Sequence, residues 1–263
     1  MSPFLRFLRT VFKLIKVVVV TVTAFLGYFF MIKLPGKSGS LAVRAKWLRT
    51  QARGYLWALG IEAHYVGEPP AEGVLVSNHL SYIDILVHGA RMPLTFISKA
   101  EVAHWPIFGL LTRCAGTLFI RREVRSDVLR LVTEMPLVLQ AGVVLAFFPE
   151  GTSSGGDMVR PFRAPLLQPL VDNGWNVTPA FLCYELEPGD GVVKEEVAWY
   201  RPETLFGTHF LNLLGKRRIR ATVTYGETQP AGTDRKVLAS RLREEICIMG
   251  GLPVDAEMVA ERA

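Results

Sequence analysis

Cysteine is scarce in this chain. Cys114, Cys183 and Cys247 are the whole set in 263 residues, odd in number and far apart. With no C-x-x-C pair, neither a disulfide framework nor a zinc site is indicated. Each cysteine lies in an apolar stretch and reads as a small core residue, which fits a reducing, cytosol-facing location. Metal-ligand spacing is missing among the histidines too: His64, His88, His104 and His209 read as structural or surface residues, so no metal is expected. No internal repeat or low-complexity tract is present. Absent as well is any basic stripe interleaved with aromatics, so nucleic acid ranks low as a partner. The net charge of +6 and pI near 9.3 then fit an anionic membrane surface or an acidic substrate.

What is abundant is apolar surface. Half of the residues are hydrophobic and the mean hydropathy is +0.27, high for a freely soluble protein. Much of the excess lies near the N-terminus. Val17 to Ile32 is uncharged, preceded by Arg6, Arg9, Lys13 and Lys16 and followed by Lys33 and Lys37. As a helix this run spans roughly 24 Å, at about 1.5 Å per residue, against a hydrocarbon core of about 30 Å. A cleaved signal peptide, a single transmembrane anchor and a helix lying in one leaflet are the competing readings, and Lys33-Leu34-Pro35-Gly36-Lys37 offers a poor cleavage site. Basic residues on both sides give no clear orientation. Leu41 to Leu59 mixes Arg44, Lys46, Arg49 and Arg53 with Trp47, Tyr55 and Trp57. It reads either as an interfacial helix or as an amphipathic helix packed on the domain.

Residues 1–60 thus read as N-terminal membrane-associating helices, 61–250 as a catalytic domain and 251–263 as a loose tail. Glu68-Pro69-Pro70-Ala71-Glu72-Gly73 is a turn-rich boundary. Strand-like runs recur at 74–77, 94–98, 117–121, 143–148, 177–183 and 219–225. Helical spacing is found at 83–90, at 102–114 interrupted by Pro106, and at 127–140 with Ser126 as cap and Pro136 as a kink. It recurs at 163–173 and 235–249. The alternation predicts an α/β fold with a mixed, largely parallel sheet flanked by helices. A domain of this length can bury a sizeable core. Trp105, Trp175 and Trp199 read as core or interface residues.

Three segments carry chemistry. In Asn78-His79-Leu80-Ser81-Tyr82-Ile83-Asp84, an imidazole and a carboxylate lie five positions apart, just after the buried strand 74–77. A His held by an Asp at a strand-to-helix junction can take a proton from a hydroxyl. An N-capping Asn or Ser beside an incidental His is the alternative. The run Val143–Phe148 leads into Pro149-Glu150-Gly151-Thr152-Ser153-Ser154, bringing a carboxylate and hydroxyls to the strand end where open α/β sheets bind ligands. A polar turn with Glu150 solvated is the alternative. Gly116-Thr117-Leu118-Phe119-Ile120-Arg121-Arg122 presents two guanidiniums, suited to phosphate or carboxylate, or else a solvated basic strand end.

Taken in order, Asn78-His79-x4-Asp84, Gly116-x-x-Phe119-Ile120-x-Arg122, Phe148-Pro149-Glu150-Gly151-Thr152 and Val177-Thr178-Pro179-Ala180 resemble the lysophospholipid (1-acylglycerol-3-phosphate) acyltransferase family. Ser98-Lys99-Ala100-Glu101-Val102 with Pro106-Ile107-Phe108-Gly109 resembles the segment between the family's first two motifs. The likeness covers residues 60 to 230, and the family's hydrophobic N-terminal helices match residues 1–60. It implies a glycerolipid-acyltransferase-like fold and a membrane-bound O-acyltransferase. Such an enzyme moves a fatty acyl group from a thioester on CoA or acyl carrier protein to a lysolipid hydroxyl, with no further cofactor. By the resemblance His79 is the general base and Asp84 holds the imidazole. Arg122 binds the acceptor's phosphate or carboxylate, with Arg121 as a second cation. Glu150, Gly151 and Thr152 shape the acceptor pocket, and Asn78, Lys99 and Ser153 complete the expected substrate contacts. Membrane lipids are the implied partners, with the catalytic domain facing the cytoplasm.

The chain departs from the family where Ser153 stands in place of the Arg that often follows Phe-Pro-Glu-Gly-Thr, and where Arg121 replaces an acidic residue or Asn. The Phe-Pro-Glu-Gly-Thr-Ser-Ser run, Pro161-Phe162-Arg163, Trp199-Tyr200 and His209–Leu214 resemble the lyso-ornithine-lipid branch, which esterifies a 3-hydroxyl on an amide-linked fatty acid. The expected acceptor is 1-acyl-sn-glycerol-3-phosphate, giving phosphatidic acid. Lyso-ornithine lipid is the alternative, and a non-catalytic lipid-binding protein on the same fold is a further one.

Overall fold

The computed structural model describes residues 3–30, 39–121 and 124–254. Arg122, Lys33, Lys37 and the tail beyond residue 254 lie outside the described residues. Two helices lead the chain, α1 (Pro3–Tyr28) and α2 (Leu41–Leu59). Gly60 ends α2 in the left-handed conformation, φ 69°, and its amide caps the helix through the carbonyls of Leu56 and Trp57.

The strands that follow are β1 (Ile61–Val66), β2 (Val74–Ser77), β3 (Leu94–Lys99), β4 (Leu118–Ile120), β5 (Val144–Phe147), β6 (Asn176–Leu186), β7 (Ile219–Tyr225) and the short β8 (Gln229–Pro230). Their order is β1-β7-β6-β2-β5-β3-β4, with β8 paired to β6. The sheet is mixed and largely parallel. Its antiparallel pairings are β6 with β7 and β6 with β8; the rest are parallel. β2 lies between β5 and β6, with Val74 opposite Leu145 on one side and Ser77 opposite Ala180 on the other. Every residue of β2 and β5 is buried, as expected of strands covered on both faces.

The period of two along those strands divides the core. Leu75, Val144, Ala146 and Leu182 face α1, α2, α3 (Asp84–Arg91) and α8 (Phe206–Leu214). Val74, Val76, Leu145 and Phe147 face α5 (Arg125–Gln140) and α9 (Arg235–Met249). Three layers result, helices over sheet over helices.

Several expectations need correction. Val102–Cys114 is not one helix. A 3-10 turn spans Ala100–His104, and α4 begins only at Phe108, because Pro106 is followed by Ile107 at φ 64°, outside the helical region. Ser126 is not the cap of α5: the helix starts at Arg125 after Val124, and it runs through Pro136. The 163–173 helix is a 3-10 turn, Ala164–Leu167, leading into α6 (Gln168–Asn173). α7 is the single turn Val193–Glu196.

α2 is a packed helix. Trp47, Leu48, Tyr55, Leu56 and Leu59 are buried, and Arg53 donates to the Ala90 carbonyl at 2.9 Å. α1 starts earlier than its apolar run. Its cations are engaged with the domain: Lys13 Nζ donates to the carbonyls of Leu59 (2.6 Å) and Lys216 (2.8 Å), Lys16 Nζ to that of Trp57 (3.0 Å), and Arg9 to that of Gly215 (3.0 Å). These carbonyls lie at or just beyond the C-terminal ends of α2 and α8, where backbone acceptors lack helical partners. Val17, Val20 and Ala24 face inward, while Phe4, Phe7, Phe12, Ile15, Val19 and Val22 stand exposed.

Candidate active site

β2, β5, β3 and β4 all point their carboxyl ends at one edge of the sheet; Lys99 ends β3 there, and the turns after β2, β5 and β4 bring His79, Glu150 and Arg121 to the same edge. Open α/β sheets bind ligands there.

The turn after β2 is held from every side. His79 Nδ1 lies 2.7 Å from Asp84 Oδ2. The same oxygen accepts the amides of Leu80 (2.7 Å) and Ser81 (3.0 Å), and Asp84 Oδ1 accepts the Tyr184 hydroxyl at 2.7 Å. Asp84 is fully buried in the first turn of α3, where the helix dipole favours an anion. Burial, and then the charge of Asp84, raise the Tyr184 hydroxyl's pKa well above its ordinary value, so it stays a donor. The His79 ring stacks on Phe148, centroids 4.2 Å apart and planes within 8°. Its carbonyl accepts the Ser154 amide at 2.8 Å. Among the described residues Nε2 has no hydrogen-bond partner, and His79 lines a cavity of about 480 Å³.

Glu150 does not reach into that cavity. It is buried, and both of its oxygens are spent on the backbone: Oε1 accepts the His79 amide at 2.7 Å and Oε2 the Arg160 amide at 2.8 Å. Burial pushes its pKa up to about 8, against the opposing pull of those two donors. Its expected part in the acceptor pocket is thus replaced by a structural one, bracing the turn that carries His79. Gly151 follows at φ 80°, a left-handed turn that a side chain would strain.

Asn78 is corrected in the same way. Its carboxamide is buried and exchanges two hydrogen bonds with the backbone of Leu182, at 2.7 and 2.9 Å. It extends the β2–β6 ladder by one rung and is not placed to touch a substrate.

Gly151, Thr152, Ser153 and Lys99 do line the cavity, with Trp105 and Trp199. Ser153 is turned: its hydroxyl donates to the Trp199 carbonyl at 2.5 Å. Arg121 forks onto Asp127 (Nε–Oδ2 2.8 Å, Nη2–Oδ1 2.9 Å), which holds the Asp127 carboxyl far below its ordinary range. His88 and His209 are buried structural residues, bonded to the hydroxyls of Ser77 (3.2 Å) and Tyr82 (3.0 Å). Burial lowers the His88 pKa to about 4, so it is neutral at pH 7. Among the described residues no group of His, Cys, Asp and Glu could hold a metal ion.

Tyr82, Ile85, Val102 and Trp105 are shared with a second cavity of about 100 Å³, walled by aromatic and aliphatic side chains of α2, α4 and α8. No local sequence pattern marks this apolar cavity, because its walls come from helices far apart in the chain.

Comparison with known proteins now gives the class. A family model described as Acyltransferase matches residues 64–182. The lyso-ornithine lipid O-acyltransferase of Pseudomonas aeruginosa is 36% identical over 192 residues, 72% of this chain and 72% of that protein. The 1-acyl-sn-glycerol-3-phosphate acyltransferase of Neisseria meningitidis is 39% identical over 150 residues, 56% of this chain and 58% of that protein. The crystal structure of the 1-acyl-sn-glycerophosphate acyltransferase PlsC from Thermotoga maritima matches with a TM-score of 0.65 at 16% identity, over 95% of this chain and 98% of that one. That last likeness is one of fold. The chain belongs to the acyltransferase family, and it is an enzyme of lysolipid acylation.

Proposed function

We propose that this enzyme moves a fatty acyl group from an acyl thioester, on CoA or acyl carrier protein, to a hydroxyl of a membrane lysolipid, with His79 as general base. The observation that carries this reading is the 2.7 Å contact of His79 Nδ1 with buried Asp84, beside a cavity that shares lining residues with a second, apolar one. With Nδ1–H donated to Asp84, Nε2 keeps a lone pair for the acceptor's hydroxyl proton. The alkoxide oxygen attacks the thioester carbonyl carbon, an ester C–O bond forms and the C–S bond breaks. The proton on His79 then passes to the departing thiolate. Asp84 stabilises the imidazolium between those two events. No enzyme nucleophile is needed, since the substrate brings its own. The first few methylenes of an acyl chain fit the apolar cavity.

For the acceptor, 1-acyl-sn-glycerol-3-phosphate and lyso-ornithine lipid are the two readings. The turned Ser153 favours the second, since it supplies no cation where a phosphate would need one. α1, with its cations docked on the domain and its apolar side exposed, suits a helix lying in one leaflet. The catalytic domain then faces the cytoplasm, where acyl thioesters are available.

The test is thiol release from acyl-CoA and from acyl carrier protein thioesters, with a panel of lysolipids. Release that depends on one acceptor class supports the reading; none with any acceptor would sink it. Removing residues 1–35 should weaken pelleting with liposomes, and undiminished pelleting would end the one-leaflet account of α1.

A further inference from the structure

The wall of the catalytic cavity formed by Lys99, Gly151 and Thr152 continues into a smaller recess of about 130 Å³. Three cations reach this recess: Lys99, Arg121 and Arg163. They differ in what else they hold. Arg121 is committed to its fork on Asp127. The exposed Arg163 guanidinium meets no carboxylate among the described residues.

Arg163 is brought there by a loop that leaves the end of β5 and returns to it. Its backbone amide donates to the Pro149 carbonyl at 2.9 Å. Three residues earlier, the Arg160 amide donates to Glu150 Oε2. The other oxygen of that carboxylate carries the amide of His79. One buried side chain therefore ties the base-bearing turn and the Arg163-bearing loop together. Ser153, the residue beside Thr152, is turned to the Trp199 carbonyl and leaves the anion-binding role vacant.

We propose that Arg163, together with Lys99, clamps the anionic group of the acceptor's head, a phosphate monoester or a carboxylate. The clamp sets where the acceptor hydroxyl meets His79, with Glu150 keeping the two in register. This rests on the function proposed above. A guanidinium fits either anion through two parallel N–H donors, which an ammonium cannot match. Glu101 brings a carboxylate to the same recess. A phosphate dianion is repelled by it, whereas a head group with an ammonium beside its carboxylate is not. The two acceptor classes are accordingly separate arms of the test.

The experiment is steady-state kinetics on the full chain and on Arg163→Ala and Arg163→Lys, with 1-acyl-sn-glycerol-3-phosphate in one arm and lyso-ornithine lipid in the other. Melting temperatures control for folding. Arg163→Ala is expected to raise the acceptor KM at least about tenfold, equivalent to about 1.4 kcal/mol, while the KM for the acyl thioester stays put. Arg163→Lys should recover part of the loss. The arm with the larger change names the anion. An unchanged acceptor KM, or a rise in the thioester KM instead, overturns the clamp. Equilibrium binding of each acceptor to His79→Ala, with and without Arg163→Ala, gives the same answer without turnover; an equal Kd in both also overturns it. Binding that depends on Arg163 in a wild-type protein that acylates no acceptor would overturn the proposed function and leave the clamp standing.

Discussion

Two regions of this molecule bury polar side chains against the backbone, one set as acceptors and the other as donors. At the carboxyl ends of β2 and β5, Asp84 and Glu150 gather amide donors, from Leu80 and Ser81 on one and from His79 and Arg160 on the other. On α1, Lys13, Lys16 and Arg9 gather carbonyls of Leu59, Lys216, Trp57 and Gly215. Turns that follow strands present N–H groups, whereas helix C-termini present C=O groups. The carboxyl groups fix the amide and the imidazole of His79. The cations fix an apolar helix to the domain while its greasy side stays outward. On the proposed function, the first arrangement bears on the rate and the second on anchoring and stability.

The comparison breaks first at Asp84. Asp84→Asn keeps the shape but removes the anion that orients Nδ1–H, and turnover should fall by roughly a thousandfold or more. Thiol-release kinetics with a folding control would read this, and a fall smaller than tenfold would place the rate elsewhere. Glu150→Gln comes next. Its amide nitrogen must oppose one of two backbone N–H groups, costing about 1–3 kcal/mol of stability. Because the His79 turn loosens with it, turnover should drop as well. Equal thermal stability and equal turnover in this variant would show that the brace is idle.

On the other side, Lys13→Met leaves the Leu59 and Lys216 carbonyls without their buried donor, a loss of about 1–3 kcal/mol. Calorimetry should show the lower Tm, while turnover of a water-soluble short-chain acceptor is spared. A large loss of that turnover would mean that α1 shapes the active site directly.

The last effect is one of pH. Glu150 has a pKa of about 8 in the folded chain against an ordinary 4.5. Between those values the native state keeps a proton that the unfolded chain has released, so stability falls as pH rises through that window. The Tm should decline from pH 5 to pH 8, and more steeply in the wild type than in Glu150→Gln. Parallel curves for the two proteins would remove Glu150 as the cause.

Much of the sheet was legible because β2, β5 and β7 are unbroken apolar or alternating runs, and α9 has clean helical spacing. β1 was hidden: Ile61–Val66 alternates buried and exposed positions and carries Glu62 and His64, as a half-covered edge strand does. α8 is only nine residues long and sets Thr208, His209 and Asn212 among its apolar side chains, too short a stretch to establish a helical period. Arg6, Arg9, Lys13 and Lys16 read as flanking charges of an apolar run, yet they lie inside α1 because they find carbonyls on other helices. His79 and Asp84 could be paired from the sequence because their contact is local. Glu150 holding the His79 amide, Asn78 holding Leu182 and Tyr184 holding Asp84 span 71 to 104 positions, beyond any local pattern.

The most direct test of the account is His79→Ala in purified, folded form, assayed for acyl transfer to the acceptor that the wild type uses best. The variant should still unfold cooperatively and bind the acceptor as the wild type does, with turnover lower by about a thousandfold or more. Turnover close to that of the wild type in the folded variant would contradict the account.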